Sequence, residues 1–388
     1  MERAVPLEQL FEVGHGRRKA RMGFPAPQSD RDRRFAITPE GVSLLVDAGY
    51  EVLVEHGAGA TIHYDDLAYA SCGARLSSRE EVLTADVVVS IAPLCIADVR
   101  SVKRGAMVMT MLCPDRQDPM ALKALLEKRV TAIAIDLIAD VNAHTPFRDI
   151  IDEIEGRAAI TLAAAELSDL SVGKGILLGG ITGVNPCEVV ILGSGVPAIA
   201  AARAAVGLGA AVKIFDNDIY SLRAAGDTVG AGIAGSCLQP RVLASALNTA
   251  DVVIATPMTT RFVVSGNVVE MMKRGVLVFD RSDGAAPVFP SLPHIDLAAG
   301  HLGELSTERV AYVNASGAVA RTTAMALSNT FIAMLQDIMT CEGPVNALKL
   351  KPGIRRAVYT FMGRPTHPVV AHLTGTRHID IDLMLQFS

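Results

Sequence analysis

An α/β fold with two units of parallel sheet is predicted for this chain by three features of its sequence. Short apolar runs alternate with helical patterns, which is typical of βαβ units. The 388 residues exceed the roughly 250–300 at which single cores stop growing, so two domains are expected. One apolar strand is followed at once by a glycine-rich turn and a helix of small residues, as in nucleotide-binding sheets.

The first part of the chain, up to about residue 150, predicts an open sheet of its own. Its strands are apolar runs of the length expected for buried parallel strands, and turn signals such as Ala92-Pro93 separate them. The predicted strands are Glu51–Glu55, Ala85–Ile91, Gly105–Met111 and Thr131–Ile135, and the predicted helices are Gly41–Ala48 and Pro119–Lys128.

A helix of small residues, Glu155–Leu167, follows and ends in the glycine-rich loop 173–183. Because small residues allow close packing, this helix is expected to connect two domains. The second unit runs from Glu188 to about Arg321, after which a helix at Ala324–Met339 leads into a polar tail. The tail is expected to return to the first unit, so the predicted domains are 1–150 with 323–388, and 151–322.

Composition and charge exclude several classes of protein. The net charge of −5 argues against a nucleic-acid partner, and the apolar runs are much shorter than the roughly 20 residues that span a bilayer. The six cysteines show no CxxC spacing, which predicts reduced thiols and no structural metal. The first 22 residues are charged and lack a long apolar core, so no signal peptide is expected. A soluble cytoplasmic protein without a membrane partner is predicted.

The segment from Glu188 predicts a dinucleotide site. A strand leads directly into Gly193-Ser-Gly195-Val196-Pro-Ala198 and then into a helix of small residues. Side chains at Gly193 and Gly195 would block the tight turn and the approach of a pyrophosphate to the helix N-terminus. Ala198 still permits close packing of helix on strand. The alternative is a glycine turn in an α/β fold without a nucleotide.

An acidic residue at the end of the next strand indicates which dinucleotide binds. Asp216 follows the strand Ala211–Phe215, about 20 residues after Gly195. A carboxylate there accepts ribose hydroxyls and repels a 2′-phosphate, so NAD is favoured over NADP. The remaining candidate cofactor-binding residues are Val196, Asn217, Thr256 and Asn314; Thr256 follows the predicted strand Asp251–Ala255.

Several longer segments match the pattern of a known family. They are Arg34-Phe-Ala-Ile-Thr-Pro-Glu-Gly-Val, Gly49-Tyr-Glu-Val-Leu-Val-Glu-His-Gly-Ala-Gly, Leu178-Gly-Gly-Ile-Thr-Gly-Val, the glycine-rich stretch after Glu188, and Ala320-Arg-Thr-Thr-Ala-Met-Ala-Leu-Ser-Asn. Through them the chain resembles the alanine dehydrogenase and pyridine nucleotide transhydrogenase (alpha subunit) family over nearly its whole length. The resemblance implies two Rossmann-like domains, the first completed by the C-terminal tail, with NAD between them. It also implies a homo-oligomer, a homodimer or a hexamer.

The resemblance implies a set of substrate-binding residues as well. The family's alanine dehydrogenases oxidise L-alanine to pyruvate and ammonia by hydride transfer to NAD, using an arginine, a lysine, a histidine and an aspartate. Arg34 stands at the arginine position, and a guanidinium suits a carboxylate because its planar fork donates two parallel hydrogen bonds. The alternative is a surface charge in the basic run that ends at Arg34.

Four other positions depart from the family. Ala92 stands where a lysine is expected, and Cys113 stands at the histidine position, either as a reactive thiol or as a small apolar filler. Asp283 is the better match for the aspartate, the alternative being a structural carboxylate in a turn. Asp152 replaces a serine near the cofactor phosphates, where an acid is unfavourable, so this segment is expected to be displaced or reassigned.

These departures favour an NAD-dependent oxidoreductase that acts on a small amino, imino or oxo acid other than alanine. The predicted catalytic residues are Arg34, Cys113 and Asp283. Two alternatives stay open. One is an enzyme that uses bound NAD as a transient hydride acceptor in an elimination, cyclisation or epimerisation, and the other is a non-catalytic NAD-binding protein.

Overall fold

The fold is taken from a computed structural model that describes residues 20–28, 32–171, 173–281, 287–299, 309–339 and 344–386. Asp283, one of the three predicted catalytic residues, lies outside these ranges. None of the helices within them combines the length and apolar character that crossing a bilayer requires.

The first sheet begins with six strands. They are β1 (Arg21–Phe24), β2 (Glu51–Glu55), β3 (Arg75–Ser77), β4 (Val87–Val89), β5 (Met107–Thr110) and β6 (Thr131–Ala134). The helices between them are α1 (Pro39–Asp47), α2 (Asp66–Ser71), α3 (Arg79–Leu83), α4 (Ile96–Ser101) and α5 (Pro119–Glu127). The strands lie in the order β3-β2-β1-β4-β5-β6 and all pair in parallel, so the order reverses between β1 and β4.

Residues that alternate along these strands pack into two cores, one on each face of the sheet. Val89, Met109 and Ile133 belong to one core, whereas Val88 and Val108 belong to the other. Successive side chains of a strand point to opposite faces, so a sheet covered by helices on both sides needs apolar residues at nearly every position. This explains why the strands are continuous apolar runs.

Helix α6 (Pro146–Ser168) leads from the first core into the second. Phe147 and Ile151 pack in the first core, and Ala159 and Leu167 pack in the second. The helix begins before the predicted start at Glu155, because a proline is compatible with the first turn of a helix.

The second sheet has seven strands. They are β7 (Glu188–Leu192), β8 (Ala211–Phe215), β9 (Ile233–Ser236), β10 (Val252–Ala255), β11 (Leu277–Asp280), β12 (His294–Asp296) and β13 (Ala311–Val313). The helices are α7 (Val196–Gly207), α8 (Ile219–Val229), α9 (Pro240–Thr249), α10 (Gly266–Met271) and α11 (Ala315–Ala318). The order is β9-β8-β7-β10-β11-β13-β12 with every pair parallel. The first five strands follow the 3-2-1-4-5 order of a dinucleotide-binding sheet, whereas β13 lies between β11 and β12.

The chain then returns to the first sheet. Helix α12 (Ala320–Met339) places Ala324, Leu327 and Phe331 in the first core. It is followed by α13 (Pro344–Leu350), α14 (Pro352–Arg356), β14 (Val358–Phe361), β15 (Arg364–Pro365), α15 (Pro368–Thr374) and α16 (Ile381–Gln386). Strand β14 pairs antiparallel with β6 and extends the sheet to eight strands. The predicted fold of two Rossmann-like domains, the first completed by the C-terminal tail, is confirmed.

Candidate active site

The carboxyl ends of the two sheets meet at one cleft. Arg34, in the segment after β1, approaches Ser316 of α11, and the Nη1–Oγ distance is 3.5 Å. Arg116, beyond the end of β5, lies 3.5 Å from a carboxylate oxygen of Asp296 at the end of β12. Ligands of open α/β sheets bind beyond the carboxyl ends of the strands where the strand order reverses. The cleft is therefore the expected place for a site.

Gly193 forms the tight turn at the end of β7. Its φ angle is +103°, and a Cβ atom there would lie 2.1 Å from Oγ1 of Thr256. Thr256 is fully buried, and its hydroxyl donates to the Leu192 carbonyl at 2.9 Å. Thr256 therefore closes the gap between β7 and β10 and leaves no room for a side chain at Gly193.

The N-terminus of α7 presents its backbone to the cleft. Gly195 and Val196 are exposed there, and a Cβ atom on Gly195 would meet no atom closer than Pro197 Cδ at 3.9 Å. Ala198, one turn on, is fully buried in the helix–sheet core. This combination of open space over a helix N-terminus and close packing behind it suits a bound diphosphate.

Asp216 lies at the end of β8, next to this turn. It is buried, and its Oδ2 accepts the Ser194 hydroxyl at 2.7 Å while Oδ1 accepts the Asp218 N–H at 3.0 Å. Each carboxylate oxygen has a second lone pair for a ribose hydroxyl. Asn217 is exposed beside it and accepts the Leu238 N–H at 3.2 Å.

A cavity opens between α6 and the ends of β10, β11 and β13. It is lined by Glu155, Gly156, Ala159, Pro197, Ile254, Thr256, Phe279, Asp280, Arg281, Tyr312, Val313, Asn314 and Ala315. Asn314 has the left-handed φ of 61° and donates from Nδ2 to Asp296 Oδ1 at 3.0 Å. Thr256 and Asn314, predicted separately from the sequence, thus share one wall. The open backbone at Gly195 and the buried Asp216 suit a dinucleotide, and Thr256 and Asn314 line the small cavity next to them.

Arg34 is buried, with 8% of its surface exposed, so it is not the surface charge that its basic run allowed. Asp32 accepts hydrogen bonds from Nε at 2.8 Å and from Nη2 at 2.7 Å. Burial alone would lower the pKa of Arg34, but the Asp32 charge and hydrogen bonds raise it above its usual range. The pKa of Asp32 is lowered because the Arg34 charge outweighs the effect of burial.

The pairing with Asp32 leaves one edge of the guanidinium for a ligand. Asp32 takes the Nε/Nη2 edge, and the Nη1/Nη2 edge still carries donors in the fork geometry that fits a carboxylate. Arg34 lines a pocket at the ends of β1 and β4 together with Ser90 and Ala92. The structure therefore brings the arginine and the lysine-to-alanine position together.

Cys113 follows β5 in the left-handed conformation, with a φ angle of 38°. It lies close enough to Arg34 and to Tyr359 of β14 for its charge to raise the pKa of both. A partly exposed position beside a guanidinium is unlike that of an apolar filler. Its assignment as a catalytic thiol stays a prediction.

Asp152, which stands where the family resemblance implies a serine, belongs to a cluster of ion pairs. Its Oδ1 pairs with Arg281 Nη2 at 2.7 Å, and its Oδ2 lies 3.7 Å from Arg148 Nε. Burial raises the pKa of Asp152, and the two arginines offset only part of this effect. Since Arg281 follows β11 and Asp152 lies on α6, the pair links the second sheet to the long helix.

Glu155, one turn further along α6, fixes the start of α11. Its two carboxylate oxygens accept the N–H groups of Ala315 at 2.9 Å and Ser316 at 3.0 Å. The arrangement holds Ser316 beside Arg34. Sequence reasoning missed Glu155, Asp32 and Arg116, and only Asp32 carried a usable signal, as an acid two residues from the candidate arginine.

Comparison with known proteins places these features in context. The family model "Alanine dehydrogenase/PNT, N-terminal domain" matches residues 23–147, and "Alanine dehydrogenase/PNT, C-terminal domain" matches residues 159–368. Alanine dehydrogenase of Methanococcus maripaludis is 31% identical over 362 residues, which cover 90% of this chain and 95% of that protein.

Two solved structures share the fold. An L-alanine dehydrogenase aligns with a TM-score of 0.79 at 24% identity and covers 92% of this chain and 99% of its own. A transhydrogenase from Sinorhizobium meliloti aligns with a TM-score of 0.73 at 21% identity, covering 90% of this chain and 99% of its own.

Proposed function

The chain belongs to the alanine dehydrogenase/PNT family, and from that membership we propose that it is an NAD-dependent oxidoreductase acting on a small amino, imino or oxo acid other than alanine. The buried Arg34 carries the proposal. Burying a guanidinium is costly unless it is paired. Asp32 pairs one edge of Arg34, and Ser316 Oγ lies 3.5 Å from Nη1. A carboxylate bound at the second edge would complete its coordination in the cleft.

The residues of the second sheet would hold the cofactor. NAD is the cofactor, and when bound it accepts two electrons and a proton from a substrate carbon or returns them. Gly193, Gly195 and Val196 would receive its diphosphate at the N-terminus of α7, and Asp216 would accept the ribose hydroxyls. Thr256 and Asn314 wall the cavity that opens beyond them.

The exclusion of alanine rests on two positions. The family's alanine dehydrogenases use a lysine and a histidine near the substrate amine and the nicotinamide, and Ala92, at the lysine position, offers neither a charge nor a proton. Cys113 is a weaker hydrogen-bond partner than a histidine. The site keeps the arginine that would bind a carboxylate but lacks the family's lysine and histidine. This combination favours a substrate whose nitrogen or oxygen is bound by other groups than in alanine oxidation.

The experiment measures binding of oxamate, a small 2-oxo acid analogue, to the protein saturated with NADH. Arg34→Ala should weaken oxamate binding about thirtyfold or more, since removing one side of a buried charge-assisted pair costs roughly 2–5 kcal/mol. Arg34→Lys should recover part of the loss, because a point charge cannot reproduce the fork. NAD affinity, measured by calorimetry on the same proteins, should stay nearly unchanged.

Arg33→Ala is the matched control. Arg33 is exposed and adjacent in sequence, so its removal changes the net charge equally without touching the cleft. Equal oxamate affinity in wild type, Arg34→Ala and Arg34→Lys would contradict the carboxylate site. Rapid NADH formation from L-alanine at alkaline pH would contradict the exclusion of alanine.

A further inference from the structure

We propose that Asp136 is a catalytic residue that exchanges a proton with the nitrogen or oxygen of the substrate. The inference rests on the proposed function, which supplies the cleft, the cofactor and the carboxylate anchor. Ala92 and Cys113 stand at the family's lysine and histidine positions, and the inference assigns the proton transfer to neither of them.

The fold places Asp136 at the carboxyl edge of the first sheet. It follows β6 by two residues, and its Oδ1 accepts the Leu112 N–H at 2.8 Å. Leu112 directly precedes Cys113, so the hydrogen bond ties Asp136 to the loop that carries the thiol. Since β5 and β6 are adjacent and parallel, their ends open into the same cleft.

Ionisable groups from three other elements lie close enough to interact electrostatically with Asp136. Arg148 comes from α6, Arg281 from the segment after β11 of the second sheet, and Tyr359 from β14. Tyr359 is buried with its hydroxyl 3.0 Å from Thr110 Oγ1, and burial together with the charge of Asp136 raises its pKa to about 12. Both sheets therefore contribute groups around this one carboxyl.

The environment favours a carboxyl that can hold a proton. Burial raises the pKa of Asp136, and the Leu112 N–H and the two arginines offset only part of that effect. A carboxyl whose pKa moves toward neutrality is better suited to give and take a proton than one with an ordinary value.

Other acids of the cleft are committed to fixed partners. Asp32 is bonded to Arg34, Asp152 is paired with Arg281, Glu155 accepts two N–H groups at α11, and Asp296 accepts Asn314 Nδ2 and the Ala298 N–H. The Asp136 carboxyl accepts only backbone N–H groups, those of Leu112 and of Asp136 itself, among the hydrogen bonds named for it in the described ranges. The remaining lone pairs of this carboxyl are assigned to the substrate.

The proton balance of the step is simple. With an amino acid as substrate, the ammonium group loses one proton to the Asp136 carboxylate. With NAD bound, breaking the C–H bond would pass its two electrons and proton to the cofactor as a hydride and would leave a protonated imine. In the reverse direction the protonated Asp136 returns its proton to the amine.

The test follows oxamate binding to the NADH-saturated protein from pH 5 to 9. A protonated Asp136 donates to the oxamate carbonyl, whereas an ionised one repels the ligand. Affinity should therefore fall about tenfold for each pH unit above the Asp136 pKa. Asp136→Asn keeps an N–H donor and cannot ionise, so its affinity should be high and independent of pH.

Asp140→Asn is the matched control, since Asp140 is an exposed turn residue in the same segment. It should keep the wild-type pH dependence, and NAD affinity should be the same within about twofold in all three proteins. An unchanged pH dependence in Asp136→Asn, with binding still sensitive to Arg34→Ala, would overturn the role of Asp136 alone. Absence of oxamate binding to wild type would overturn the proposed carboxylate site and this inference with it.

A second measurement needs no ligand. In protein labelled with 13C at aspartate carboxyls, the resonance missing from Asp136→Asn identifies Asp136. Its titration midpoint should lie above the ordinary value of about 3.9. A midpoint at or below that value would overturn the proposal whatever the binding data show.

Discussion

Each charged side chain of the cleft has protein partners, and these partners determine which of its hydrogen-bonding atoms remain for a ligand. Asp32 pairs with one edge of Arg34, and Arg281 pairs with Asp152. The same principle applies to Asp216, whose oxygens each hold one protein donor and keep one lone pair. Chemical type alone did not determine these roles.

The carboxylate of Asp216 is expected to determine the choice between NAD and NADP. NAD should bind about tenfold or more tightly than NADP, because the carboxylate accepts ribose hydroxyls and repels a 2′-phosphate. Asp216→Ala should narrow that ratio by removing the repulsion. Calorimetric titration with both cofactors measures it, and Asp218→Ala is the control because Asp218 only caps α8. Equal affinities of wild type for the two cofactors would exclude Asp216 from the ribose site.

Among the elements, the contact between α6 and α7 depends on the absence of a side chain. A Cβ atom on Gly156 would lie 2.1 Å from the Pro197 carbonyl oxygen and 2.8 Å from the Ala201 nitrogen. Both are backbone atoms of α7, which cannot move without shifting the N-terminus of that helix. The small residues that suggested a closely packed connecting helix therefore act at this crossing.

Gly156→Ala should lower the free energy of unfolding by about 1–3 kcal/mol, the usual cost of overpacking a core. It should also weaken NAD binding, because the N-terminus of α7 must shift. Gly207→Ala, at the other end of α7, meets no atom within 4 Å and should be neutral or stabilising by up to about 1 kcal/mol. Urea titration and NAD calorimetry on both variants measure the effects. Equal free energies of unfolding for the two variants would show that α6 and α7 can move apart without loss of stability, which would contradict the prediction.

For the molecule as a whole, the two sheets differ in how the chain completes them. The seven-stranded sheet is built from one continuous stretch, whereas the eight-stranded sheet needs β14 and β15 from the C-terminal segment. Without β14, strand β6 would be an open edge, which promotes aggregation. The domain boundaries 1–150 with 323–388 and 151–322, and the homo-oligomer, stay predictions.

Expression of fragments tests the boundaries. Fragment 151–322 should unfold cooperatively and bind NAD, because its sheet is complete. Fragment 1–150 should fail to fold alone and recover when 323–388 is joined to it through a flexible linker. Circular dichroism on heating and NAD titration give the readouts. Cooperative unfolding of 1–150 by itself would contradict a domain that depends on the tail.

Local patterns in the sequence were enough to predict the class of fold and the tight turn after β7. Strands β2 and β8 have the bounds that their apolar runs predict, and the turn after β7 follows from two glycines. Helix starts were less accurate, and the central strand β1 was missed because an arginine and a glycine interrupt its short apolar run. Family membership and the dehydrogenase class are confirmed by comparison with known proteins.

The tertiary structure alone decided which side chains meet. Arg34 and Ser316 are 282 residues apart, and Asp152 and Arg281 are 129 residues apart, so no local spacing links them. Asp136 could have been noticed as an acid after a strand, but its raised pKa results from burial in the completed fold, offset in part by arginines from α6 and from the segment after β11. The spacing of apolar residues along a segment indicates which of its faces packs against a core. The contacts of a cleft depend on which strand ends become neighbours, and only the completed fold brings those ends together.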